Sequence, residues 1–181
     1  SPTTNEETTR AVRNYEMDSM TRSAMHVGIG LLTGQRRPSD SHSMETIYAE
    51  LLHVARQTEA VGLDSIWVSE HHLSDDAYMP AVMTMLGAIA TATDDVEIGS
   101  SMALAPLYNP VRLAEDAATV DLLSGGRLTL GLANGYRDVE FENFGVEKRE
   151  RGERTEEAIH ICRGAWRPGP LGYEPLFADV S

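Results

Sequence analysis

The chain has 181 residues, a hydrophobic fraction of 41% and a formal net charge of −13 at pH 7. That is enough apolar material for one domain with a real core, while the acidic balance argues against partners made of nucleic-acid phosphate. A single cysteine, Cys162, excludes an internal disulfide framework and a multi-cysteine metal site.

Lys148 is the only lysine beside fourteen arginines, a bias that suits a salt-rich cytoplasm or a GC-rich genome and is silent on activity. Residues 1–23 are polar and aperiodic and read as a flexible leader. They lack the apolar stretch of a signal peptide. No apolar run approaches the roughly 18 residues of a membrane span, so the expected location is the cytoplasm, with no membrane partner.

From residue 24 onward a pattern repeats. MHVGIGLL (25–32) has the length and apolar run of a buried strand. A polar stretch with Gly34 and Pro38 follows, and then Ile47, Leu51, Val54, Ala55 and Val61 recur at helical spacing up to Gly62, a helix stop. Ile66, Trp67 and Val68 make a second strand, and PAVMTMLGAIATA (80–92) a second helix with Pro80 in its first turn. VEIGSSMALAP (96–106) reads as the third strand and its exit. Asn109 and Pro110 then form a cap and first-turn proline for a helix that ends at Gly125-Gly126. RLTLGLANG (127–135) is the fourth strand. A long loop leads to a fourth helix marked by Ala158, Ile159, Cys162, Ala165 and Trp166.

Four strands alternating with four helices, with no hairpin signal, predict an α/β fold with a parallel sheet and right-handed crossovers. A doubly wound nucleotide fold needs a glycine-rich phosphate turn straight after its first strand, and GIGLLTGQRR has its glycines at the wrong spacing. The expectation is therefore a (β/α)8 barrel of the TIM type, of which residues 24–181 hold only about the first four units. A whole barrel takes about 250 residues. We read the chain as a fragment, the other arrangement being two half-barrels that associate.

In such barrels the chemistry sits where strands end. Four clusters fall there: Leu32-Thr33-Gly34, Glu70-His71-His72, Ser100-Ser101-Met102 and Ala133-Asn134-Gly135-Tyr136. Strand alternation puts Glu70 and His72 on one side and His71 on the other, which opposes joint metal chelation by the two histidines, and the spacing of a helical HExxH site is absent. No metal is expected. A rim histidine suits proton transfer or hydrogen bonding to an anion. Small residues at Ser100 and Ser101 would let a flat ligand approach the backbone. Met79, Met83, Met85 and Met102 read as core filler, Cys162 as core, and Asp138, Glu140, Glu142 and Glu147 as solvated loop charges.

EHH after DSIWVS, followed by IGSSMALAPLYNPVRLAEDAATVDLLSGGRLTLGLANGYRDVEFENFG, resembles the bacterial luciferase-like family of flavin-dependent monooxygenases over residues 24 to about 167. The resemblance implies a barrel that holds reduced FMN at its C-terminal rim, receives it from a flavin reductase, and uses oxygen to oxygenate a small organic substrate. A deazaflavin coenzyme that moves hydride is the alternative within the same fold, and a non-catalytic flavin-binding half-barrel is a third reading. By resemblance His71 is the catalytic residue. Glu70, Ser100, Ser101, Met102, Asn134 and Tyr136 would contact or place the cofactor, and a non-prolyl cis peptide would fall at Ser101-Met102. The family also implies a second subunit, here a homo-oligomer. Ala133 and Asn134 stand where the luciferase subunit carries cysteine and arginine, which removes one expected phosphate contact.

Overall fold

The structure, a computed structural model, describes residues 25–170, 172 and 175–177. The leader predicted at 1–23 lies outside them. The elements are β1 (Gly28–Leu32), α1 (Met44–Ala60), β2 (Ser65–Val68), α2 (Val82–Ala92), β3 (Glu97–Ser100), β4 (Ala103–Leu104), α3 (Pro110–Ser124), β5 (Leu128–Thr129), β6 (Leu132–Ala133), α4 (Asp138–Phe144) and α5 (Arg151–Ala165). Strands β1-β2-β3-β5 form one sheet in that order, and β4-β6 a second small one. Every pairing is parallel, as the alternating pattern predicts.

The helices form where their apolar spacing lets one side face the sheet. Ile47, Leu51, Ala55 and Thr58 are the buried stripe of α1, and Leu113, Ala114, Ala117 and Val120 that of α3. Asn109 caps α3 as predicted, its side chain accepting from the amides of Val111 and Arg112 at 3.0 and 3.2 Å. Gly125 ends that helix in a left-handed conformation, φ +69°. Ile66, Val68 and Ile98 meet the helices with no exposed surface, alongside Leu86, Ile89 and Leu113. Each such side chain contributes about 1.5–3 kcal/mol by leaving water.

The other face of the sheet is differently made. Register sets Ser65 beside Glu97 and Trp67 beside Gly99. Trp67 lies so close over Gly99 that a Cβ there would stand 2.3 Å from the indole. The indole nitrogen donates to Ser65 Oγ at 2.9 Å, which pins the ring along this face.

Several boundaries differ from expectation. The first strand begins at Gly28 and is largely exposed, not buried: it is a sheet edge, and Leu31 stands 61% exposed with φ +59°. Pro80 precedes α2 instead of sitting in its first turn. The third and fourth strands are each broken in two, the third at the cis peptide Ser101-Met102 and the fourth at Leu130-Gly131. The long loop after the fourth strand contains α4. Met79, Met83 and Met85 are core, as expected, whereas Met102 is 41% exposed at the rim. Cys162 is buried, and burial pushes its thiol up to about 11.

At the opposite end of the sheet, Arg127 donates to the carbonyls of Ala90, Thr93 and Val96 at 2.8–2.9 Å, closing the end of α2. Glu59 accepts the amides of Asp94 (2.9 Å), Asp95 and Val96 (3.3 Å). Burial pushes the Glu59 carboxyl up, but these three amides and the nearby charge of Arg127 outweigh it and hold the group below its usual range. A group lowered on folding stabilises above the ordinary carboxylate range and loses that contribution as pH falls through its lowered value. Glu59→Gln is therefore expected to melt at a lower temperature than the native chain at pH 7. The two melting curves should converge as the solution is acidified below the carboxylate range, as followed by circular dichroism.

Candidate active site

The parallel strands place their C-terminal ends at one rim, where Leu32, Val68 and Ser100 are neighbours. The chain leaves β2 at Ser69 and carries Glu70, His71 and His72 across that rim. Ser69 stays anchored, its amide donating to Leu32 O at 3.3 Å and its Oγ accepting from Tyr78 Oη at 2.9 Å. The amide of His71 donates to Met79 O at 3.1 Å, and that of Met79 to Thr33 O at 2.7 Å. The 73–79 loop is thus stitched between the first and second strand exits.

Alternation holds through the exit, and the two histidines part. Glu70 is 1% exposed and turns inward. Its Oε2 accepts the Leu104 amide at 2.6 Å and its Oε1 the Tyr108 hydroxyl. His72 follows it to the same side, with Nε2 3.2 Å from Glu70 Oε1. That is ion-pair distance, but the angle makes no hydrogen bond, and His72 Nε2 is a buried atom without a hydrogen-bond partner among the described residues. The two groups are close without a hydrogen bond between them. Burial, then the charge of Glu70 and the bond to it, raise the Tyr108 hydroxyl far above its ordinary range, so it stays a donor.

His71 goes the other way. Its Nδ1 lies 2.9 Å from Oε1 of Glu140, a carboxylate with no exposed surface, supplied by α4. The same Oε1 accepts the His72 amide at 2.9 Å and Arg137 Nη1 at 3.2 Å. Arg137 Nη1 also donates to His72 O at 2.9 Å. The imidazole stands edge-on to Tyr78 and Tyr136, with centroids 4.8 and 5.5 Å away. Among the described residues no hydrogen bond reaches His71 Nε2, and its side chain is 18% exposed. This ring is therefore held on one nitrogen and open on the other, the arrangement a proton acceptor needs.

Glu140 corrects the sequence reading, which places it among solvated loop charges. It is the anchor of the histidine pair, reached because the stretch thought to be loop is the helix α4. The signal available was the i,i+3 pairing of Arg137, the N-cap residue of α4, with Glu140 in its first turn, invisible until a helix is recognised there. Asp138, Glu142 and Glu147 are exposed, as expected.

The remaining rim residues divide into support and surface. Ser100 is fully buried, and its hydroxyl both donates to Gly131 O (2.8 Å) and accepts from Gly131 N (2.9 Å), clamping the third strand to the fourth. Gly131 has no room for a side chain, since a Cβ would fall 2.3 Å from Ser100 O and 2.8 Å from Met102 Sδ. Ser101 is partly buried, with its amide donating to Val68 O at 2.7 Å. Met102, Asn134 and Tyr136 are exposed, Tyr136 to 64%. Among the described residues no three His, Cys, Asp or Glu side chains are arranged to hold a metal ion. No described helix is long and apolar enough to cross a membrane.

Removing the Tyr108 hydroxyl tests the inward-facing half of this arrangement. Tyr108→Phe leaves a fully buried carboxylate short of one donor, and should cost about 1–2 kcal/mol of stability in urea denaturation.

Residues 25–180 match the profile of the luciferase-like monooxygenases. The oxygenase component of a flavin-dependent trigonelline monooxygenase from Acinetobacter baylyi is 29% identical over 139 residues, covering 76% of this chain and 39% of that protein. An F420-dependent glucose-6-phosphate dehydrogenase from Amycolatopsis mediterranei is 38% identical over 139 residues, covering 72% of this chain and 41% of that one. The crystal structure of a monooxygenase from Streptomyces bottropensis superposes with a TM-score of 0.78 at 27% identity, over 84% of this chain and 46% of that chain. The chain thus spans about two fifths of the length of these curated relatives. With a matching profile over nearly all of its described residues and the same parallel α/β architecture, the chain belongs to the luciferase-like monooxygenase family.

Proposed function

We propose that the chain is the N-terminal, four-unit part of a (β/α)8 barrel and carries the catalytic side of a flavin monooxygenase site. The sheet supports the first statement. Among the described residues its outer strands β1 and β5 each have one unpaired edge, and beside β5 runs a largely apolar groove lined in part by Leu122, Leu128, Leu130 and Trp166. Edges of this kind call for closure by further strands or by a second copy.

The observation that carries the functional reading is His71, fixed on buried Glu140 through one nitrogen and open at the rim through the other. The residues around it fit one face of a flat heteroaromatic ring. The exposed ring of Tyr136 stands beside the imidazole, and Met102 is partly exposed at the neighbouring strand exit. Small Ser101 lets backbone approach a ligand. Met102, Ser101, Asn134 and Tyr136 would meet the cofactor, while Glu70 and Ser100, both buried, would place the backbone beneath it. When bound, reduced FMN supplies the electrons that activate dioxygen. His71 would hold or take a proton at Nε2, with the rings of Tyr78 and Tyr136 packed against the imidazole. Arg137 and Arg151 already donate to His72 O with Glu140 and to Gly135 O. The small organic substrate would enter over the same rim, and a flavin reductase would deliver the reduced cofactor.

A second reading has its own support. The 38% identity to an F420-dependent dehydrogenase favours a deazaflavin coenzyme and hydride transfer, with the same histidine at the rim. Binding separates the two. We expect the purified chain, assembled as it is in solution, to bind reduced FMN more tightly than reduced F420 in anaerobic fluorescence titrations. With a flavin reductase and oxygen, His71→Asn should lower substrate oxygenation by about 10²-fold or more and leave the FMN dissociation constant within a few-fold. Preference for F420 would select the hydride-transfer reading. Turnover unchanged in His71→Asn would remove His71 from the chemistry.

A further inference from the structure

We infer that Glu140 is the positioning residue of His71: it fixes the proton of the neutral imidazole on Nδ1 and so makes Nε2 the acceptor that His71 presents at the rim. The inference rests on the reading above only for the use to which Nε2 is put.

One oxygen decides which ring nitrogen carries the proton. Glu140 Oε1 accepts two hydrogen bonds whose donors leave no choice of direction, a backbone amide from His72 at 2.9 Å and a guanidinium N–H from Arg137 at 3.2 Å. An oxygen that already receives two N–H groups is an acceptor towards its third neighbour as well, so His71 Nδ1, 2.9 Å away, must carry a hydrogen. In a neutral imidazole that leaves the lone pair on Nε2. The assignment uses Oε1 alone; Oε2 is buried with no hydrogen-bond partner among the described residues.

The surroundings keep the ring from turning over. Tyr78 and Tyr136 hold it edge-on from two sides, and a flip would bring a carbon to Glu140 in place of the nitrogen. Arg137 ties Glu140 to the chain it serves, because the same Nη1 donates to His72 O at 2.9 Å. Chemically, the consequence is a direction of proton flow. A proton leaving a bound O–H or N–H group forms a new bond to Nε2, its electron pair stays on the group that released it, and His71 becomes an imidazolium. The Nδ1–H···Oε1 bond then becomes charge-assisted at the moment the charge appears.

The test needs no cofactor. Nitrogen-15 correlation spectra of histidine-labelled protein, recorded at a pH where His71 is neutral, report which ring nitrogen bears the proton. The native chain is expected to show His71 as the Nδ1–H form. Glu140→Gln keeps an acceptor oxygen and should retain that form, while Glu140→Ala should move the ratio of the two forms by at least about tenfold towards Nε2–H. A native His71 protonated on Nε2 would overturn the inference by itself, even if Glu140→Ala does not fold. So would a folded Glu140→Ala whose Nδ1–H form is unchanged. Failure to bind any flavin, with the Nδ1–H form intact, would count against the monooxygenase reading and leave this inference standing.

Discussion

Two carboxylates with essentially no exposure, Glu70 and Glu140, sit under one three-residue strand exit. Burying such groups is costly unless donors meet them, and the rim is arranged around that requirement. Glu70 takes the Leu104 amide and the Tyr108 hydroxyl, binding the second strand exit to the third and to the approach of α3. Glu140 takes the His72 amide, Arg137 and His71, binding the same exit to α4 after the fourth strand. The second, third and fourth βα units are therefore locked together by two side chains.

That locking also explains why adjacent histidines behave differently. The exit's alternation sends His72 inward beside Glu70 and Phe144, where its ring centroid is 4.6 Å from the phenyl ring. His71 is sent outward between two tyrosines. One histidine belongs to the packing and the other to the rim, although the sequence presents them as a pair. The breaks in the third and fourth strands belong to the same design. At Ser101-Met102 and Leu130-Gly131 the sheet gives way to short β4 and β6, and Ser100 and Gly131 hold the two breaks face to face through paired hydrogen bonds. Met102 is thereby left exposed at the rim.

Much of this was legible in residue order. The β/α alternation, the Asn109-Pro110 start of α3, the Gly125 stop and the opposed sides of His71 and His72 all follow from local rules of spacing, capping and alternation. Three things were not. The exposure of β1 depends on its being a sheet edge, which its own apolar run cannot reveal. The breaks in the third and fourth strands depend on a contact between Ser100 and Gly131, 31 residues apart. Glu140 reads as one more acid in an acidic stretch, because its partner His71 is 69 positions away. The rim clusters follow from the strand ends and from family likeness. The residue that anchors them appears only when the chain is folded.

The central claim is that the ligand face of this protein is the rim at His71 and not the opposite end of the sheet. Anaerobic addition of reduced FMN to histidine-labelled protein, followed by nuclear magnetic resonance, tests it most directly. The account predicts that the His71 ring signals shift with saturating FMN, while those of His26 and His53, away from the rim, stay in place. Saturable binding that moves His26 and leaves His71 untouched would contradict it.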